Sequence, residues 1–226
     1  MSRFGRFVFS IAGLLVIACA GATVRADTIT VTGVDSGQFS TATVVCEFDS
    51  QTNTFTFTIT NTSAITQPGS TSTITGIGFD LPPLGNESAS GLNGFDGMQA
   101  PSASANFVFS DDDLGTVPHG FNSAVLDFAF LTGNSGNFNS GQVEDGLLPG
   151  ESASFIVSGD AFEGFTEEEI CNAIFVRFQD VPLNAPRGEG SDVGVSTAVP
   201  EPSTILLLGS ALLGFGGYAR NRLKRK

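Results

Sequence analysis

Aromatic, imidazole and thiol side chains are scarce in this sequence, and their scarcity excludes several functions. The 226 residues include no Trp, one Tyr (Tyr218), one His (His119) and three Cys. Sugar sites that stack rings on Trp or Tyr are therefore disfavoured, and a transition-metal site built from several His and Cys cannot be assembled. No Gly-x-Ser-x-Gly turn is present, so we expect His119 to be an exposed loop residue and the protein not to be an enzyme.

Basic residues are almost missing from the middle of the chain. Between residues 27 and 198, only Arg177 and Arg187 oppose 22 Asp and Glu, which gives a formal charge of −20. Such a surface repels phosphate backbones and excludes nucleic acid as a partner. The other eight Lys and Arg lie near the two ends of the chain, which have a different character.

The first 26 residues have the pattern of a secretory signal peptide. Arg3 and Arg6 precede an apolar run over residues 7–18, and the segment closes on Ala26. We predict cleavage by signal peptidase between Ala26 and Asp27. An alternative interpretation of residues 16–19 is a lipoprotein processing box, in which Cys19 becomes a lipidated N-terminus.

The last 24 residues have the pattern of a short membrane anchor. Residues 203–219 carry no charge, and as a helix they would extend about 25 Å, the short limit for crossing a bilayer. A cytoplasmic basic tip follows, made of Arg220, Arg222, Lys224, Arg225 and Lys226. The sequence therefore predicts a single transmembrane helix that holds the protein in the inner membrane before processing.

Pro200, Glu201 and Pro202 stand immediately before that predicted helix. The two prolines favour an extended, accessible backbone. Together, the motif, the apolar helix and the basic tip over 199–226 resemble the PEP-CTERM sorting signal of Gram-negative bacteria. The resemblance implies cleavage near residues 200–202 by an exosortase, and transfer to the cell envelope, the outer surface or the extracellular matrix. It also implies a link to exopolysaccharide or biofilm.

Residues 27–181 are predicted to form an all-β ectodomain, because apolar and polar residues alternate along them. In the clearest segment, Phe55, Phe57 and Ile59 share one face and threonines the other. We predict eight strands, over 28–34, 42–48, 54–60, 72–80, 105–110, 124–131, 152–158 and 173–179. Two packed antiparallel sheets, a β-sandwich of jelly-roll or immunoglobulin-like type, would bury most of the 17 ectodomain phenylalanines.

The segments between these strands are predicted from their turn residues. Residues 81–104 contain three Pro and four Gly and are expected to form a long surface loop. Thr166 and Glu169 have the spacing of a capping box and predict a short helix. Residues 182–198, rich in Pro and Gly, are predicted to be a flexible stalk.

Two further sets of residues are candidate sites. Cys46 and Cys171 remain after signal removal, and in an oxidising compartment we predict a disulfide, with two buried free thiols as the alternative. Asp111 and Asp113 are a weak candidate for Ca²⁺, the one cofactor considered, against the simpler interpretation of a solvated acidic turn.

These observations favour a non-enzymatic surface or matrix protein with a structural or adhesive role. The alternative is a calcium-dependent carbohydrate-binding module or glycan hydrolase on the same sandwich.

Overall fold

The structure is a computed structural model that describes residues 27–64, 71–82, 92, 94–101, 105–121, 123–133, 136–182 and 190–197. The strands are β1 (Asp27–Gly33), β2 (Gly37–Asp49), β3 (Thr54–Asn61), β4 (Thr73–Phe79), β5 (Asp96–Gln99), β6 (Phe107–Ser110), β7 (Phe128–Thr132), β8 (Ser152–Ser158), β9 (Ile174–Gln179) and β10 (Ser191–Thr197). Helical structure within these residues is limited to α1 (Glu167–Cys171) and the 3-10 turns Val143–Asp145 and Asp160–Phe162. The predicted all-β class is therefore confirmed.

All ten strands belong to one antiparallel sheet in the order β5-β8-β3-β2-β1-β10-β9-β4-β7-β6. The sheet curls until β3 and β8 face β4 and β7, so that it is nearly barrel-shaped. Phe57 of β3 lies 5.8 Å from Phe130 of β7, and Phe130 lies 4.5 Å from Phe155 of β8, between ring centroids. The sequence predicts two packed layers, and the structure joins them edge to edge into one continuous sheet.

The core lies inside this curl because the strands alternate as predicted. In β3, Phe55, Phe57 and Ile59 are fully buried, whereas the intervening threonines are half-buried on the outer face. Burying each phenylalanine contributes about 2 to 3 kcal/mol of transfer free energy. Among the described residues, the fully buried phenylalanines are Phe55, Phe57, Phe79, Phe128, Phe130, Phe138, Phe155, Phe162 and Phe178.

A smaller apolar cluster covers the outer face of β4, β7 and β9. Leu114 and Val117, from the loop after β6, pack there with Leu131 and Phe138. Because this cluster covers their second face, every residue of β4 and β7 is buried. The loop over residues 111–121 is thereby fixed against the sheet.

The two edge strands, β5 and β6, meet through a side chain. Gln99 Nε2 donates to the Ala105 carbonyl at 2.9 Å, and the Phe107 N–H donates to Gln99 Oε1 at 2.7 Å. A Cβ on Gly97 would lie 2.2 Å from Cδ2 of Phe109, so a larger residue would separate the strands. The Gln99 amide thus both donates and accepts a hydrogen bond, as a backbone peptide group would, and closes the seam between the edge strands β5 and β6.

Two of the predictions about the connecting segments are wrong. Asp96–Gln99, inside the predicted loop over 81–104, forms β5. Residues 191–197 of the predicted stalk over 182–198 form β10, which lies between β1 and β9 in the middle of the sheet. A Cβ on Gly194 would lie 2.7 Å from Val31 Cγ1, so this glycine permits close strand packing and does not mark a linker.

The predicted capping box at α1 is confirmed. Glu169 N–H donates to Thr166 Oγ1, and Thr166 N–H donates to the Glu169 carboxylate at 2.9 Å. No helix among the described residues has the length and apolar character needed to cross a membrane. The predicted transmembrane helix over 203–219 lies outside these residues.

Candidate functional site: a polar cluster beside the turn between β1 and β2

Asp192, on β10, is a fully buried carboxylate that organises the turn between β1 and β2. Its oxygens accept hydrogen bonds from the N–H groups of Asp35 (3.2 Å), Ser36 (2.8 Å) and Val193 (2.8 Å), and from the Ser36 hydroxyl. A Cβ on Gly33 would lie 2.1 Å from Asp192 Oδ2. Glycine at position 33 therefore leaves the space in which this carboxylate sits.

His119 reaches the same place from the loop that the smaller apolar cluster fixes. Val117 is fully buried two residues earlier. His119 itself has a φ of 60°, and Gly120 follows with a φ of 93°. A left-handed backbone at a non-glycine residue costs free energy and persists only where surrounding contacts enforce it. The expectation that His119 is an exposed loop residue is wrong, because its side chain is 11% exposed.

The imidazole of His119 joins two polar side chains from different strands and turns. Its Nδ1 lies 2.9 Å from Asp35 Oδ2, and its Nε2 lies 3.3 Å from the hydroxyl oxygen of Ser191. Asp35 lies in the turn between β1 and β2, and Ser191 begins β10. The cluster of Asp35, His119, Ser191 and Asp192 is called the polar cluster below.

The polar cluster contains side chains of the types that ligate metal ions. Single ligand atoms of Asp35, His119 and Asp192 all lie within 4.8 Å of one another. However, four donors already occupy the two oxygens of Asp192, and a carboxylate has about four lone-pair sites. Asp192 has no acceptor site left for an ion. The remaining donors, one imidazole and one carboxylate, are fewer than a stable transition-metal site requires.

The predicted cysteine pair is brought together by the fold. Cys46 on β2 and Cys171 at the end of α1 are both buried, and the structure has them as free thiols. The hydrogen bond to Cys46, and to a smaller extent burial, raises the pKa of the Cys171 thiol. Their contact supplies the proximity that a disulfide needs, and the bond itself remains a prediction.

The calcium candidates are not gathered into a site by the described residues. Asp113 is exposed with a φ of 50°, and Asp111 is half-buried. The only group of three or more His, Cys, Asp and Glu donors among the described residues is the one that contains His119. Calcium binding at Asp111 and Asp113 stays a prediction.

The predicted processing sites lie at or beyond the limits of the described residues. β1 begins at Asp27, immediately after the predicted signal cleavage point, and Ala26 lies outside the described part. The sorting motif Pro200, Glu201 and Pro202 and the basic tip also lie outside it. The last described residue, Thr197, ends β10.

Comparison with known families identifies the C-terminal segment. A family model described as the PEP-CTERM protein-sorting motif matches residues 198–222. The chain therefore carries a PEP-CTERM sorting motif, which indicates an exported, envelope-targeted protein and implies processing by an exosortase. No curated protein and no solved structure matches the chain. The match bears on how the protein is sorted, whereas the ectodomain must be interpreted from its own residues.

Proposed function

We propose that this protein is a structural or adhesive component of the cell surface or exopolysaccharide matrix, placed there through its C-terminus. The observation that carries the proposal is the sorting motif over residues 198–222. The proposed role requires no catalysis and no bound cofactor. Its setting, the envelope or biofilm matrix of a Gram-negative bacterium, is part of the same proposal.

The position of β10 supports attachment of the folded domain through its C-terminus. The sorting motif begins at residue 198, directly after a strand held on both sides by β1 and β9. Cleavage near residues 200–202 would leave three to five residues beyond the sheet, a reach of roughly 10 to 18 Å. A group joined to the new C-terminus would therefore lie close to the folded domain, with no long linker between them.

The outer face of β3 and β8 supports contact with a hydrated polymer. Thr58 pairs with Ser154, and Thr60 with Ser152, each with 2.7 Å between hydroxyl oxygens. These hydroxyl pairs form a polar ladder that can donate to and accept from sugar hydroxyls. Because the sequence has no Trp, binding here would depend on hydrogen bonds.

A binding experiment with the full chain tests this proposal. Co-sedimentation with the extracellular polysaccharide of the host should retain the protein, and replacing Thr58 and Thr60 by Val should weaken retention about tenfold or more. Thr30→Val and Thr32→Val, on the exposed face of β1, provide the matched control and should leave retention unchanged. Equal retention of all three proteins, or none, would refute the adhesive role of the ladder.

A further inference from the structure

We propose that Ser191 is a nucleophile activated by His119 and Asp35, and that it attacks uncharged carboxylic esters. This activity goes beyond the proposed surface role. It rests on which ring nitrogen faces which group: the Asp35 carboxylate lies on Nδ1 at 2.9 Å, and the Ser191 hydroxyl lies on Nε2 at 3.3 Å. A carboxylate that orients an imidazole beside a hydroxyl is the arrangement by which serine is activated in acyl transfer.

The carboxylate of Asp35 fixes the ring with one nitrogen toward the serine. When Nδ1 carries its proton toward Asp35, Nε2 presents a lone pair to the Ser191 hydroxyl. The separation of 3.3 Å is at the long end for such a pair, as is common before substrate binds.

Asp192 is a positioning residue for this arrangement. It holds the backbone N–H groups of Asp35 and Ser36, and it adjoins Ser191 along β10. Because its oxygens are fully used by these donors, it is neither the base nor a competing partner for the imidazole.

Substrate reaches these groups from solvent. The side chains of His119 and Asp35 are 11% and 23% exposed, and Ser191 is half-buried. Ligand atoms of the two carboxylates, Asp35 and Asp192, lie within 4.8 Å of one of His119, and residues 27–198 carry a formal charge of −20. An anionic substrate would be repelled, so the acyl group and the leaving alcohol are expected to be uncharged.

The reaction is a two-step acyl transfer. Ser191 Oγ forms a bond to the ester carbonyl carbon while its proton passes to His119 Nε2. The C–O bond to the alcohol breaks, and the alcohol leaves with that proton. Water then forms a bond to the acyl carbon while its proton passes to the same nitrogen. The bond between that carbon and Ser191 Oγ breaks, Oγ takes the proton back from Nε2, and the carboxylic acid is released.

An alkyl fluorophosphonate tests the nucleophile without any knowledge of the natural substrate. An activated serine displaces fluoride and forms an O–P bond, which intact mass and peptide mapping locate. The full-length protein should gain one label, at Ser191. Ser191→Ala should lose it, and Asp35→Asn and His119→Asn should react about 100-fold more slowly. Asn is chosen at position 119 because it tolerates the left-handed backbone there.

Ser196→Ala is the matched control. Ser196 lies on the same strand, is half-buried, and donates to the Asn172 carbonyl at 2.6 Å, without any histidine. It should label as the wild type does, and all variants should keep the wild-type circular dichroism spectrum. Three results would overturn the proposal: no label on the folded wild type, equal labelling of His119→Asn, or one equivalent of zinc held through His119. In the last case the imidazole could not take the serine proton.

Discussion

At the scale of single residues, Asp127 is a buried carboxyl group whose surroundings raise its pKa. It is 3% exposed, and it accepts hydrogen bonds from the N–H groups of Leu81 and Leu92. Burial, opposed by these hydrogen bonds, raises the pKa of Asp127 to about 6. The folded state therefore binds a proton between about pH 4 and 6 that the unfolded chain has released, so stability falls as pH rises through this window.

This fall in stability with rising pH gives the first prediction. Ionising Asp127 should cost about 3 kcal/mol of stability between about pH 4 and pH 7. Asp127→Asn cannot ionise. Its free energy of unfolding, measured in urea at pH 4 and at pH 7, should therefore rise relative to that of the wild type between the two pH values. The exposed Asp160→Asn is the control. A gap that is the same at both pH values would show that Asp127 is not held in its protonated form.

The second prediction concerns the buried cysteines. We expect the exported protein, denatured without reductant, to react with no thiol reagent and to be about 2 Da lighter than the reduced chain. Reduction should lower the free energy of unfolding by about 4 to 5 kcal/mol, because the bond between Cys46 and Cys171 closes a long loop. Two reactive thiols per denatured, unreduced chain would establish the free-thiol alternative.

At the scale of elements, β10 is an interior strand that joins β1 to β9. It pairs with β1 through Thr30–Gly33 and with β9 through Phe175–Gln179, and it buries Val193. A chain ending at residue 197 should therefore unfold cooperatively, whereas one ending at 190 should not fold, because β1 and β9 would lose their shared partner. Circular dichroism melting distinguishes them. Equal melting temperatures would mean that β10 is dispensable.

The seam between β5 and β6 gives a fourth prediction. Gln99→Leu keeps the size of the side chain but leaves the Phe107 N–H and the Ala105 carbonyl without partners. It should cost about 1 to 3 kcal/mol and speed hydrogen exchange at the Phe107 amide. Met98→Leu, at the neighbouring position with a 64% exposed side chain, should change neither quantity. Unchanged exchange in Gln99→Leu would show that the amide does not close the seam.

The strands β5 and β10 show which features of the fold could not be predicted from the sequence. The strands with strict alternation, such as β3, were predicted to within a residue because one buried face imposes a period of two. The sequence pattern does not predict β5 and β10, because Gly97 and Gly194 are typical of loops. In the structure, these two glycines allow another chain segment to approach closely. Only the folded neighbours, Phe109 and Val31, reveal that requirement.

The polar cluster was missed for a related reason. Its histidine lies 84 residues from Asp35 and 72 from Ser191, so no local motif joins them. The capping box at Thr166 and the sorting motif could be predicted because all of their residues are close in sequence. A site whose residues come from distant parts of the sequence leaves no local motif by which a single sequence could reveal it.

At the scale of the whole molecule, the charge is divided between the ectodomain and the ends. Residues 27–198 carry a formal charge of −20, whereas the basic tip carries five positive charges. Exosortase cleavage near residues 200–202 would remove the apolar segment and the tip together. The mature protein would then be a strongly acidic domain, which favours solubility and repulsion from anionic surfaces.

The most direct test is the intact mass of the protein from envelope and medium fractions of its host, with and without the exosortase. In the presence of the enzyme, we expect a chain that begins at Asp27 and ends between Val199 and Pro202, with any attached group visible as added mass. Without the enzyme, residues 203–226 should remain. A mass that retains residues 203–226 in both strains would contradict exosortase processing and leave an ordinary membrane anchor.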